Sequence, residues 1–68
     1  MKNYYVNDRA QANGDHEVHV DSCYYLPSPI NQKHLGTFGT CADAVIAAKK
    51  YYAQVNGCVT CCPSCHTQ

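Results

Sequence analysis

Four of the six cysteines in this 68-residue chain fall between Cys58 and Cys65, in the segment NGCVTCCPSCH, and His66 follows directly. That cluster constrains the fold more than any other feature, because the chain has little else to stabilise it. A domain of this size buries only about 60% of the surface its unfolded chain exposes. The large apolar residues are few: one Phe, no Trp, and six Tyr that supply much of the bulk. Chains of this kind fold with a staple, which is a metal, disulfides or a partner subunit. One domain spanning residues 1–68 is expected.

The charge balance narrows the functional classes. Five Lys or Arg stand against five Asp or Glu, and no basic run is longer than Lys49-Lys50. A nucleic-acid module normally carries a basic face, so a protein partner is the first expectation and nucleic acid the alternative. The longest apolar run, Ala44 to Ala48, is far too short to span a membrane. No apolar core follows Lys2 in MKNYYVNDRA, so no secretory signal is expected. The expected compartment is then cytoplasmic, where clustered cysteines more often bind metal or do redox chemistry than form disulfides.

Local patterns give an outline of the fold. Tyr4, Tyr5 and Val6 favour extended backbone, so residues 2–7 read as a strand, and Glu17-Val18-His19-Val20 reads as its hairpin partner across the Asn13-Gly14-Asp15 turn signal. Pro27 and Pro29 make residues 21–34 irregular, with Tyr24, Tyr25, Leu26 and Ile30 available to cover the core. Leu35 to Phe38 reads as a short third strand at an edge. Thr40 is a helix N-cap, with Asp43 placed to close a capping box. Cys41, Ala44, Val45, Ala48, Tyr51 or Tyr52, and Val55 recur at helical spacing. Asn56-Gly57 reads as the helix stop, with Gly57 in the left-handed conformation. The expected class is α+β: a two- or three-stranded antiparallel sheet with one helix, stabilised by zinc in a treble-clef-like arrangement.

The metal expectation comes from spacing. Cys58-Val59-Thr60-Cys61 is a CxxC, which lets two thiolates reach one ion. A closed tetrahedral site needs two more ligands, and His19-Val20-Asp21-Ser22-Cys23 offers a histidine and a cysteine at the end of the second strand. His19, Cys23, Cys58 and Cys61 would form a Cys3His site suited to Zn2+. His16 lies near but faces away from His19 on a strand. Cys41 sits on the apolar helical stripe and reads as a core residue. The second CxxC, Cys62-Pro63-Ser64-Cys65, leaves alternatives open. The site can use Cys58 and Cys61, Cys61 and Cys65, or Cys62 and Cys65. The tail can instead hold a second metal with His66, or Cys62 and Cys65 can pair as a disulfide.

The segments HVDSC at 19–23, LGTFGTCADAV at 35–45 and NGCVTC at 56–61 together resemble the metal-binding domain of Ada-type DNA-alkylation-response proteins and its small stand-alone bacterial or phage relatives. The resemblance spans roughly residues 17–65. It implies a first ligand pair at His19 and Cys23 and a second at Cys58 and Cys61. The first ligand here is His where that family has Cys, the helix and the linker between pairs are longer, and Cys62 and Cys65 are extra. Methyl transfer in that family needs an all-thiolate site held against DNA, so only metal binding and topology carry over.

The residues do not assemble an enzyme. No paired carboxylates, nucleophile elbow or phosphate-binding loop is present. A Cys3His set also leaves no open coordination position. A CPSC redox pair normally opens a helix, which only three residues after Cys65 cannot supply. Binding is therefore expected, not turnover. A disulfide-stapled or thiol-redox protein is the remaining alternative. The six tyrosines form three adjacent pairs, 4-5, 24-25 and 51-52. Neighbours on a strand or helix do not share a face, so one of each pair is expected in the core and the other at a contact surface.

Overall fold

The structure, a computed structural model, describes residues 1–67. It contains β1 (Lys2–Asn7), β2 (His16–Val20), β3 (Gln32–Phe38), α1 (Cys41–Ala48) and β4 (Val55–Gly57), with short 3-10 turns at Pro29–Asn31 and Pro63–Cys65. The strands form one sheet in the order β3-β1-β2-β4. β1 pairs antiparallel with both β2 and β3, and β2 pairs parallel with β4. The class is α+β with one helix, but the sheet is mixed and has four strands, where a two- or three-stranded antiparallel sheet was expected.

Alternation along the strands sets the core. Tyr4, Val6, Val18 and Val20 point to one face and are buried there with Ala44 and Ala48 of α1. Cys41 and Val45 extend the same helical stripe as partly buried residues against this cluster. The helix starts as expected: Thr40 caps it by accepting a hydrogen bond from the Asp43 amide at 3.4 Å. β3 starts at Gln32, three residues before the expected Leu35, and lies at the sheet edge. Tyr4 pairs with Gly36 but Tyr5 with His34, so Leu35 is an extra residue in β3. Gly36 takes a φ of 130° at this bulge, which only glycine accepts readily.

The helix is shorter than the expected stretch to Val55, because later residues have stronger partners elsewhere. It ends at Ala48. Tyr52, whose amide still bonds back to Ala48 O at 3.1 Å, stacks on His16 with ring centroids 3.8 Å apart and donates its hydroxyl to Asp8. That acceptor, with burial, raises the Tyr52 pKa to about 12. Val55–Gly57 joins β2 as a parallel edge strand, with Val18 O accepting from the Cys58 amide at 3.0 Å. Asp15 fixes the approach. Its carboxylate accepts from Gln54 Nε2 at 2.7 Å and from Asn56 Nδ2 and Asn13 Nδ2 at 3.1 Å. The Gln54 bond, then the Asn56 bond, holds the Asp15 carboxyl below its ordinary pKa. Folding therefore favours the ionised form. This contribution is present above the unfolded pKa and is lost as pH falls through the lower folded value.

Gly57 does not adopt the left-handed conformation; among the described residues only Gly14 and Gly36 have positive φ. Its role is close approach. A Cβ there would lie 2.7 Å from Cys65 Cβ and 2.9 Å from the Cys62 carbonyl oxygen. Gly57→Ala is expected to push the tail off β4 and cost about 1–3 kcal/mol, the usual range for overpacking. Urea unfolding measures it, and an unchanged midpoint would mean that this contact does not hold the tail.

In two of the tyrosine pairs one ring is more buried than its neighbour, though neither pair divides fully into a core and an exposed residue. Tyr4 is buried with Tyr5 half-buried, and Tyr52 is half-buried with Tyr51 exposed. The third pair departs from the expected division. Tyr24 and Tyr25 are both exposed and pack edge to face on each other, with centroids 5.2 Å apart. Ile30 is exposed as well, so of the four residues expected to cover the core from this segment only Leu26 is partly buried. An irregular segment has no fixed alternation to turn one neighbour inward. Among the described residues, no helix is long and apolar enough to cross a membrane.

Candidate metal centre

The sheet gathers one histidine and three cysteines at its β2–β4 side. His19 alternates with Val18 and Val20, so it projects from the sheet face opposite the helix. It is nonetheless only 2% exposed. Cys23 follows in the turn that leaves β2, where its amide bonds back to Val20 O at 3.1 Å. Cys58 comes directly after β4, whose parallel pairing places it beside the end of β2. Cys61 lies one turn further on, in a loop closed by the Cys62 amide donating to Cys58 O at 2.7 Å.

The ligand atoms of His19, Cys23, Cys58 and Cys61 all lie within 4.8 Å of one another. Cys23 Sγ and Cys58 Sγ are 3.9 Å apart, and Cys61 Sγ is 3.9 Å from His19 Nδ1. A tetrahedral zinc with Zn–S near 2.3 Å and Zn–N near 2.0–2.1 Å has edges of about 3.8 Å between sulfurs and about 3.5 Å between sulfur and nitrogen. The cluster is therefore compatible with a zinc site. His19 and Cys58 are buried, and Cys23 and Cys61 are half-buried.

The electrostatics suit the same chemistry. Burial lowers the His19 pKa, which keeps the imidazole neutral as a metal ligand requires. With Nδ1 facing Cys61, the other ring nitrogen, Nε2, lies 3.7 Å from Glu17 Oε1. A carboxylate that accepts a hydrogen bond from the far nitrogen of a ligating imidazole fixes its tautomer; at 3.7 Å Glu17 stands beside that nitrogen without making the bond. Burial also pushes the Cys61 thiol far above its ordinary pKa. A buried thiolate is costly without a cation, so ion binding and thiol deprotonation are coupled here.

The remaining cysteines take other roles. Cys41 and Cys65 form a disulfide that ties the first residue of α1 to the 3-10 turn after the cluster. Cys41, expected as a plain core residue, is thus a cross-link as well as a packing residue. Cys65 is paired with Cys41, which removes it as a reserve ligand and as a partner for Cys62. Cys62 is a free thiol, 1% exposed, in the core cluster. Its sulfur is 3.9 Å from Cys61 Sγ, but it is not one of the mutually close four. His66 turns back to the sheet, with Nδ1 3.1 Å from Gly57 O, and among the described residues it belongs to no metal cluster. His16 Nδ1 lies 3.0 Å from Asn7 O, away from the four. Glu17 is the residue near the site that spacing alone missed. The signal that could have found it is the i to i+2 relation to His19, which puts both side chains on one face of β2.

Comparison with protein families, with curated proteins and with solved structures gives no match to this chain. No homology evidence therefore ties the chain to Ada-type domains. What the structure supports is a small domain with a His/Cys cluster compatible with metal binding.

Proposed function

We propose that His19, Cys23, Cys58 and Cys61 hold one structural zinc ion, and that the metal-clamped domain serves as a binding module for a protein partner. The mutual approach of four ligand atoms to within 4.8 Å carries the metal part of this reading. The four come from two pairs 35 or more residues apart in sequence, Cys23 and Cys58 being the nearer ends. One ion would thus clamp β2 to the segment after β4. Four protein ligands close a tetrahedral site, so its part is structural. The interaction part draws on the exposed aromatic and aliphatic side chains Tyr24, Tyr25, Ile30 and Val59. Tyrosine contributes large contact area at low entropic cost.

Native mass spectrometry of the purified chain tests the metal assignment. One zinc per chain is expected. Cys23→Ser and Cys58→Ser should lose it, whereas Cys62→Ala should keep it. Loss of zinc in the Cys62 variant alone would move the site to a different quartet. The disulfide-stapled alternative contributes one element that the structure contains, the Cys41–Cys65 bridge. The bridge should appear in the same spectra as a deficit of about two mass units that reduction removes.

A further inference from the structure

A pocket of about 400 Å³ opens beside the cluster. Its volume is in the range of small-molecule sites. His19 and Cys58 line it, and Cys23 and Cys61 do not, so it lies against one side of the four. Glu17 and Tyr25 face it from β2 and from the irregular segment, with Asn7 and Thr60 adding polar groups. No lysine or arginine is among its lining residues.

We propose that this pocket binds a cationic nitrogen headgroup, a primary ammonium or a guanidinium. The proposal rests on the zinc reading above and specifies the chemistry of the partner. Three thiolates around one divalent ion leave a net negative charge at the inner wall. Glu17 adds a carboxylate whose side chain is only 15% exposed, so its field is less screened than that of a free surface acid. The phenol ring of Tyr25, 60% exposed and packed edge to face with Tyr24, lines the pocket and supplies an aromatic group for a cation–π contact. Thr60, whose hydroxyl can accept, and Asn7, whose oxygens already take bonds from His16 and the Arg9 amide but keep a second lone pair, are the polar lining available to the remaining N–H groups. A phosphate would meet negative charge on two sides and no compensating base. The pocket therefore disfavours a nucleic-acid backbone and suits the tip of a lysine or arginine side chain.

Calorimetric titration of the zinc-loaded full chain tests this. The probes are an unstructured peptide with one lysine, the same peptide with acetyl-lysine, and putrescine. The lysine peptide should bind at least about tenfold more tightly than its acetylated form, since one charged hydrogen-bonding partner is lost. Affinity should fall as salt rises. Glu17→Gln, titrated at saturating zinc with its metal content measured on the same sample, should lose a similar factor. Tyr25→Ala should weaken binding by about two- to fivefold, as for an exposed cation–π contact. Binding of putrescine with the same Glu17 dependence would assign the site to a free amine, and its failure beside a bound lysine peptide to a protein side chain. Equal binding of both peptides, or none at millimolar concentration by the zinc-loaded chain, would overturn the proposal. A chain that binds no zinc would overturn the metal reading and this proposal with it, and zinc content measured on the same sample separates the two failures.

Discussion

Chelating the metal from the zinc-loaded chain will abolish its cooperative unfolding transition. The reason lies in the size of the core. Its buried apolar set is Tyr4, Val6, Val18, Val20, Ala44, Ala48 and the sulfur-bearing Cys58 and Cys62, and two of these are alanines. A chain of this length has a net stability of roughly 3–10 kcal/mol at the usual 0.05–0.15 kcal/mol per residue. Structural zinc in small domains contributes apparent values of about 10–16 kcal/mol. Removing a term that exceeds the total leaves no folded population. Thermal melts followed by tyrosine near-ultraviolet dichroism, with and without chelator, measure this. Cys58→Ser should behave like the chelated chain, because it removes a ligand that is only 3% exposed. A chelated chain that melts within a few degrees of the loaded one would show that the four residues are packing groups and not a clamp.

The second large effect is expected at the Cys41–Cys65 disulfide. Its cysteines are 24 positions apart in the chain. Closing a loop of that length restricts the unfolded state by about 3.5 kcal/mol in the chain-entropy treatment. The double variant Cys41→Ala/Cys65→Ala should lose about that much. For a domain of this size, that is a fall in Tm of roughly 14–28 °C. Alanine is the right replacement, because it keeps the Cβ of residue 65 packed against Gly57. The double variant should still bind one zinc, since neither position belongs to the four. Urea titration at saturating zinc gives the comparison. A larger m-value is expected together with the lower midpoint, because the released denatured chain exposes more surface. An unchanged midpoint would mean that the sulfurs are not joined in solution.

Particular residues show how far the sequence could reach. β1 and β2 were legible because their apolar residues alternate on a face that one helix covers. The four cluster residues were legible as a set because each pair has ligand spacing and the two pairs flank the central elements. β4 was not legible. Val55-Asn56-Gly57 has three residues, no measurable period, and an Asn-Gly pair that local rules assign to a turn. It is a strand because β2 offers it backbone partners and Asp15 holds Asn56 in place, both of which are long-range facts. Gly57 misled for a related reason. A glycine after a helical pattern signals a left-handed cap, but here it makes room for Cys65 and the Cys62 carbonyl. The disulfide was beyond reach as well, because six cysteines permit fifteen complete pairings and spacing does not choose among them.

The two cross-links interlace along the chain. With zinc bound, the cluster joins residues 19 and 23 to residues 58 and 61, while the disulfide joins residue 41, inside that stretch, to residue 65, outside it. A backbone cut anywhere between residues 42 and 57 would leave two pieces held together twice, once by coordination and once by a covalent bond. A chelator alone or a reductant alone would not part them. The helix end and the loop leading to β4 are thus latched by two unrelated chemistries, one answering to metal supply and the other to redox poise. The domain comes apart at a nick there only where both are withdrawn.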